Sequence, residues 1–205
     1  MPQKNTIKEY APDSYYHIYA RGVNKQNIFN EAADYSYFLS LFDRYLSGKQ
    51  KVSKTGVIYP DYAKDIELLA YCLITNHLHL LIYQKDQPEA IKDFMRSLLT
   101  SYSKYFNAKY RRVGSLFESR YKAKRIDDDN YLIHISRYVH MNPRRWRAYS
   151  HSSLSYYAAG SPPGWLKPGR VLGSFKNSHE YLNFLNEYEQ KKTELDELKY
   201  QLADK

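Results

Sequence analysis

A single cysteine, Cys72, stands in the 205 residues, which excludes a disulfide framework and any multi-cysteine metal site. It sits inside an apolar run, as a small core residue does. Long hydrophobic runs are missing too. The longest nearly apolar stretch, Ile66 to Ile74 broken by Glu67, is too short to cross a bilayer, and the opening MPQKNTIKEY lacks the apolar segment of a signal peptide. The expectation is a soluble cytoplasmic protein with no membrane partner. Acidic residues are scarce: 22 Asp and Glu against 31 Lys and Arg leave a formal net charge of +9. A surface of that sign attracts polyanions, and few acidic residues lie near the motifs described below, which counts against a hydrolase holding two metals with carboxylates. No stretch resembles the RNP1 signature of an RNA-recognition module, and no internal repeat is evident.

What is present is an ordinary globular mixture, 43% hydrophobic and 26% charged, long enough for one domain and one core. It also holds 23 tyrosines, many beside Lys or Arg, the pairing that single-stranded nucleic acid uses for base stacking and phosphate contact. Tyr15 to Arg21 alternates as a strand and stops at Gly22. A helix over about 31–47 carries Phe38, Leu41, Phe42, Tyr45 and Leu46 on one side. Residues 48–64 have no period and suggest a mobile loop or small hairpin. Ile66 to Ile74 and His77 to Tyr83, separated by Thr75 and Asn76, predict an antiparallel hairpin at the centre of the sheet. A long helix follows over about 88–109, with Ile91, Phe94, Met95, Leu98, Leu99, Tyr102, Tyr105 and Phe106 as its apolar stripe. Leu116 to Ile126 reads as an extended edge segment, and Asp127 to Asp129 supply the N-cap and first-turn acids of a helix over about 130–141. Pro143 disfavours helix at Asn142 and ends it. Strand, helix, strand, strand, helix, strand, helix predicts an α+β fold, a ferredoxin-like antiparallel sheet covered by helices. Residues 1–160 form the expected catalytic domain. Residues 161–205 are expected to be a Pro/Gly linker and a helical extension, with Leu195, Leu198 and Leu202 at helical spacing.

Two motifs carry chemistry. His77 and His79 flank Leu78 in NHLHLL, so on a strand both imidazoles share a face, about 6.6 Å apart at about 3.3 Å per residue. They suit two ligands of one divalent ion, or simply a histidine pair on a half-exposed strand. In RYVHMNP, Tyr138 and Asn142 stand four apart on one side of a helix. Laid over the histidine face, that helix brings a phenol and an amide oxygen to the same pocket. Otherwise Tyr138 continues a stripe with Tyr131 and Ile135, and Asn142 is only a terminator. His17 and Arg21 on the first strand either face the same site or form a satisfied surface pair, the second being the expectation. Around both motifs lie Arg111, Arg112, Arg120, Lys122, Lys124, Arg125, Arg144, Arg145, Trp146 and Arg147, a DNA track in which Trp146 stacks on a base, or else a solvated basic face.

Taken in order, NHLHLL, the stretch YFNAKYRRVGSLFESRY from Tyr105 to Tyr121, and RYVHMNPRR resemble the single-tyrosine HUH (IS200-like) transposases, in particular the REP-associated tyrosine transposases. The likeness runs over about 14–160. It implies the ferredoxin-like fold, a metal-dependent enzyme holding Mg²⁺ or Mn²⁺ on His77 and His79, attack by Tyr138 on a scissile phosphate, and Asn142 as a further ligand. Most transposon members have Gln where this chain has Asn142, which points to the REP-associated branch and keeps Glu118 as the reserve ligand. The implied substrate is a palindromic single-stranded DNA hairpin with a guide tetranucleotide, cut and rejoined through a 5′-phosphotyrosine; a homodimer is left open. Tyr121, ringed by cations in LFESRY, is the rival nucleophile. Two other functions fit the residues: a non-catalytic hairpin-binding protein on the same fold, and a phosphodiesterase in which the histidines activate water.

Overall fold

The computed structural model describes residues 10–203, with side chains described except at 129, 130 and 192–203. β1 (Ser14–Arg21), β2 (Ile66–Ile74), β3 (His77–Gln84) and β4 (Lys122–Ile126) form one antiparallel sheet in the order β2-β3-β1-β4. Helix α1 (Ala32–Leu46) connects β1 to β2, α2 (Ala90–Lys109) connects β3 to β4, and α3 (Asp129–Met141) follows β4. This is the ferredoxin-like α+β arrangement expected from the order of elements. The chain continues through α4 (Leu154–Ala159), α5 (Gly169–Leu172) and α6 (Ser178–Ala203). Among the described residues no helix is long and apolar enough to cross a membrane.

Successive strand residues point to opposite faces, and the sheet divides its side chains on that basis. Tyr16, Ile18 and Ala20 of β1 and Leu78, Leu80 and Ile82 of β3 pack with Phe38, Leu41 and Phe42 of α1 and Phe94, Leu98 and Tyr102 of α2. On the other face Leu81 of β3 and Cys72 of β2 join Leu132 and Val139 of α3, Tyr157 of α4, and Tyr181 and Leu185 of α6. A bulge between Leu68 and Ala70 turns both Leu69 and Ala70 towards this second layer. His140 of α3 is fully buried there, bonded to Tyr181 Oη at 2.6 Å and Ser153 Oγ at 2.7 Å. Burial pushes its pKa down to about 3, so it sits in the core as a neutral bridge between α3, α6 and the turn before α4.

Several sequence expectations change here. The Thr75–Asn76 hairpin exists, but β2 is an outer strand and the centre of the sheet is β1 with β3. The α1 crossover makes β1 and β2 parallel, and β3 fits between them antiparallel to both. The outer edge of β2 is covered, since Leu73 N donates to His151 O at 2.9 Å, Ser153 N to Tyr71 O at 3.0 Å and Lys167 N to Leu68 O at 2.8 Å. The extended segment shrinks to β4, because Leu116 and Phe117 turn into the core and Phe117 bridges Gly22. Just past β1, a Cβ at position 22 would strike the Gln26 carbonyl, so the close approach there requires Gly22. Residues 48–64 contain a small hairpin, pinned by a bridge between Val52 and Ile58. The Pro/Gly stretch is anchored by Leu166, which is buried, and by Trp165, which packs on Phe42 and Tyr71. The Leu195, Leu198 and Leu202 side chains lie outside the described residues.

Asp34 ties the two helices of the first layer together. Fully buried in the first turn of α1, it accepts from Asn30 N, Glu31 N, Tyr105 Oη, Tyr110 Oη and Lys109 Nζ at 2.8, 3.2, 3.1, 2.7 and 2.5 Å. Burial alone would raise its pKa, but the Lys109 ammonium and the backbone donors outweigh that and hold the carboxyl below its usual value. Asp34→Ala removes the acceptor shared by these five donors, of which Lys109 keeps its contact with Glu31 at 2.6 Å. It is expected to lower unfolding stability by about 3 kcal/mol, read from the urea midpoint at neutral pH with an unchanged slope.

Candidate active site

The face of the sheet opposite α1 and α2 is apolar at the β2 side and polar at one end. There β1 presents His17, Tyr19 and Arg21 opposite Leu81, His79 and His77 of β3. His17 Nε2 lies 2.9 Å from His79 Nδ1, with the rings parallel. Tyr19 packs against both His77 and His79. From above, the ring of Tyr138 on α3 meets His17 and His79 edge-on, with centroids 5.6 and 5.3 Å away. Tyr138 itself is 49% exposed, although it sits on the histidine pair. Asn142, one residue beyond the end of α3, sets Oδ1 3.2 Å from His77 Nε2. His77 Nδ1 is 2.6 Å from Asn76 Oδ1.

Burial dominates the electrostatics. It pushes His79 down to about 2, helped by His17, His77 and Arg21, and His17 down to about 4, helped by Lys124. His77 is also lowered by burial, with its contact to Asn142 opposing and Arg21 assisting. All three imidazoles are neutral at physiological pH, the form in which histidine binds a metal. Tyr19 is raised by burial against the pull of Arg21.

The donor set fits a divalent cation. Among the described residues His79 Nε2 is buried without a partner. If His77 gives its proton to Asn76, then His77 Nε2 and Asn142 Oδ1 are two lone-pair atoms facing each other at 3.2 Å. A cation between them resolves that contact, and without one the amide turns its NH₂ to the ring. Neighbouring ligands of one Mg²⁺ at about 2.1 Å lie about 3 Å apart. Among the described residues no three His, Cys, Asp or Glu side chains form a group that could hold a metal ion, and the side chain that faces His77 Nε2 is the Asn142 amide. Glu118 is near, its N–H bonded to the Arg21 carbonyl at 2.9 Å, but among the described residues it is Asn142 that contacts the histidine pair.

Tyr121 lies elsewhere. It is only 9% exposed, belongs to the α1 and α2 layer, and its hydroxyl accepts from Tyr10 Oη at 2.7 Å. The sheet separates it from the histidines.

A family model described as "Transposase IS200 like" matches residues 11–142, from the approach to β1 through Asn142. The chain belongs to the IS200-like transposase family. The structure of a REP-associated tyrosine transposase bound to a REP hairpin is similar in fold, with TM-score 0.56 and 11% identity over 80% of this chain and 92% of that one. A candidate transposase from Deinococcus radiodurans R1 matches with TM-score 0.37 and 16% identity over 68% of this chain and 95% of that one. No curated protein matches in sequence.

A transposase handles DNA, and the basic residues of this one divide by strand parity. Lys122 pairs with Tyr19 and Lys124 with His17, so both lysines stand on the histidine face, and Lys124 Nζ reaches Tyr131 Oη at 3.3 Å. Arg125 pairs with Tyr16 on the opposite face and is bound to Asp127 at 3.0 Å. Arg144 and Arg145 are exposed just past Pro143, and Arg111 and Arg120 are exposed on the segment between α2 and β4. Arg112 is held by Asn107 and Gln26 at 3.2 and 3.3 Å. The stacking role expected of Trp146 is corrected: it is 5% exposed in the second core, its Nε1 donates to Glu189 at 3.1 Å, and the Arg147 guanidinium covers its ring. Arg147 is itself paired with Glu189 at 2.5 Å. Sequence reasoning offered His17 and Arg21 as residues able to face the site and missed Tyr19. The signal was there, since their alternation in YYHIYAR matches that of NHLHLL, but it needed the strand pairing.

Replacing Lys122 and Lys124 with Glu is expected to weaken hairpin DNA binding across sequences and to flatten the log K against log salt slope by about 0.7 per lost contact. Arg125→Glu is expected to cost less. Anisotropy across a salt series reads both, and a larger loss from Arg125→Glu would move the DNA to the other face.

Proposed function

We propose that this transposase cuts and rejoins single-stranded hairpin DNA of the REP type through a 5′-phosphotyrosine on Tyr138, with His77, His79 and Asn142 holding Mg²⁺ or Mn²⁺. The observation that carries the reading is the exposed Tyr138 ring seated on His17 and His79, beside the unpartnered His79 Nε2 and the facing pair His77 Nε2 and Asn142 Oδ1. A divalent ion there supplies positive charge that polarises the phosphoryl oxygens. Tyr19 Oη and Arg21 Nε, both buried without a partner at this end of the sheet, are donors suited to the same oxygens. Lys122 and Lys124 guide the strand across the face. Hairpin DNA is the substrate by analogy with the REP-associated neighbour, which shares the fold.

Tyr138 gives its proton to solvent and forms a bond from Oη to phosphorus. The P–O3′ bond breaks, and the departing oxygen takes up a proton as a 3′-hydroxyl. The energy of the broken bond is kept in the phosphotyrosine, so a 3′-hydroxyl reverses the step and joins a strand without an external energy source. We assign this chemistry to residues 1–160 and a supporting role to 161–205, because Tyr181 and Leu185 of α6 pack beneath α3, the helix that carries the nucleophile.

The test uses the full chain, Mn²⁺ and a labelled single-stranded hairpin. Wild type and Tyr121→Phe are expected to form an SDS-resistant adduct at saturating DNA, and Tyr138→Phe none. His77→Ala and His79→Ala are expected to lose cleavage while binding the hairpin within a few fold of wild type, and EDTA is expected to stop cleavage. Tight binding with no cleavage by wild type would favour the non-catalytic hairpin binder. Cleavage that leaves a free 5′-phosphate and survives Tyr138→Phe would make water the nucleophile.

A further inference from the structure

The bond between His17 and His79 joins two neutral imidazoles, and only one proton can lie in it. Either His17 Nε2–H donates to His79 Nδ1, or His79 Nδ1–H donates to His17 Nε2 across the same 2.9 Å. In the first arrangement the remaining proton of His79 sits on Nε2. Among the described residues that atom is buried with no acceptor, which leaves a donor unmet, and a protonated nitrogen cannot bind a cation. In the second arrangement His79 Nε2 is a bare lone pair aimed into the site. His17 is itself held in place: it stacks parallel to His79 at 5.1 Å and meets the Tyr138 ring edge-on. Among the described residues His17 is the hydrogen-bond partner of His79.

We infer that His17 is a positioning residue which, by accepting the Nδ1 proton of His79, fixes the tautomer that leaves His79 Nε2 free for the metal. This rests on the proposed metal site, but it assigns to this chain a role for β1 that the metal ligands alone do not require. Outer partners of this kind orient a ligating histidine and raise its basicity. His17 spends its own Nε2 on the bond, so it is not a further ligand.

Two measurements on the full-length protein test it. The first needs no metal: long-range ¹H–¹⁵N correlation of the imidazoles at neutral pH, with His79 assigned by its loss in His79→Gln. The inference expects His79 protonated on Nδ1 and bare on Nε2 in wild type, and protonated on Nε2 in His17→Leu. Wild-type His79 protonated on Nε2 would overturn it, even if His17→Leu fails to fold. The second is Mn²⁺ affinity by calorimetry, with thermal unfolding as the check on folding. His17→Leu is expected to bind about 10- to 100-fold more weakly. His17→Gln, whose Oε1 can accept the same proton, is expected to recover most of that loss. Equal affinity in wild type and a folded His17→Leu would overturn the inference while leaving the metal site standing. If wild type binds no more tightly than His79→Ala, the metal site itself fails, and the tautomer measurement still decides the role of His17.

Discussion

The antiparallel register of β1 on β3 is the constraint from which the site follows. With Tyr19 opposite His79 and Arg21 opposite His77, every polar side chain of the cluster falls on one face. Tyr16, Ile18, Leu78, Leu80 and Ile82 fall on the other, where α1 and α2 bury them. A slip of β1 by one residue would exchange its two faces, driving His17 into the apolar layer and turning Tyr16 and Ile18 out of it. The burial that stabilises the first layer therefore holds the site in register, and the functional groups stand on strands whose backs are packed, a more rigid support than loops provide.

The same arrangement explains why unsatisfied polarity collects at one point. In the two cores the buried polar groups described above are well bonded: Asp34 accepts five hydrogen bonds, and His140 bridges Tyr181 and Ser153. At the end of β1 and β3, by contrast, Tyr19 Oη, Arg21 Nε and His79 Nε2 are buried without partners. Each such group costs stability. In the proposed reaction they are two donors suited to phosphate oxygens and one lone pair suited to a cation, and a bound metal and DNA strand would satisfy what the protein alone leaves unmet. Burial also keeps the three imidazoles neutral.

The motifs with short internal spacing were readable from sequence. H-x-H needs only the period of a strand, Tyr138 to Asn142 only that of a helix, and Pro143 marks the end of that helix. The element order predicted the fold class for the same reason. What could not be read depended on contacts distant in the chain. His17 joins the site through pairing with a strand some sixty residues later, a bond across |i−j| = 62. The outer position of β2 depends on the crossover, and the loss of Trp146 as a stacking residue depends on α6, which supplies Glu189. Lys124 and Arg125 are neighbours in sequence that belong to opposite faces, a distinction fixed only by the register of β4 on β1.

The central claim is that the tyrosine on α3, and not one from the first core, makes the covalent bond to DNA. Digesting the wild-type adduct with trypsin and sequencing the DNA-linked peptide by mass spectrometry tests this directly. The account predicts the link on Tyr138, in the peptide that begins after Arg137 and contains Asn142. A link on Tyr121, or on any peptide lacking Tyr138, would contradict it.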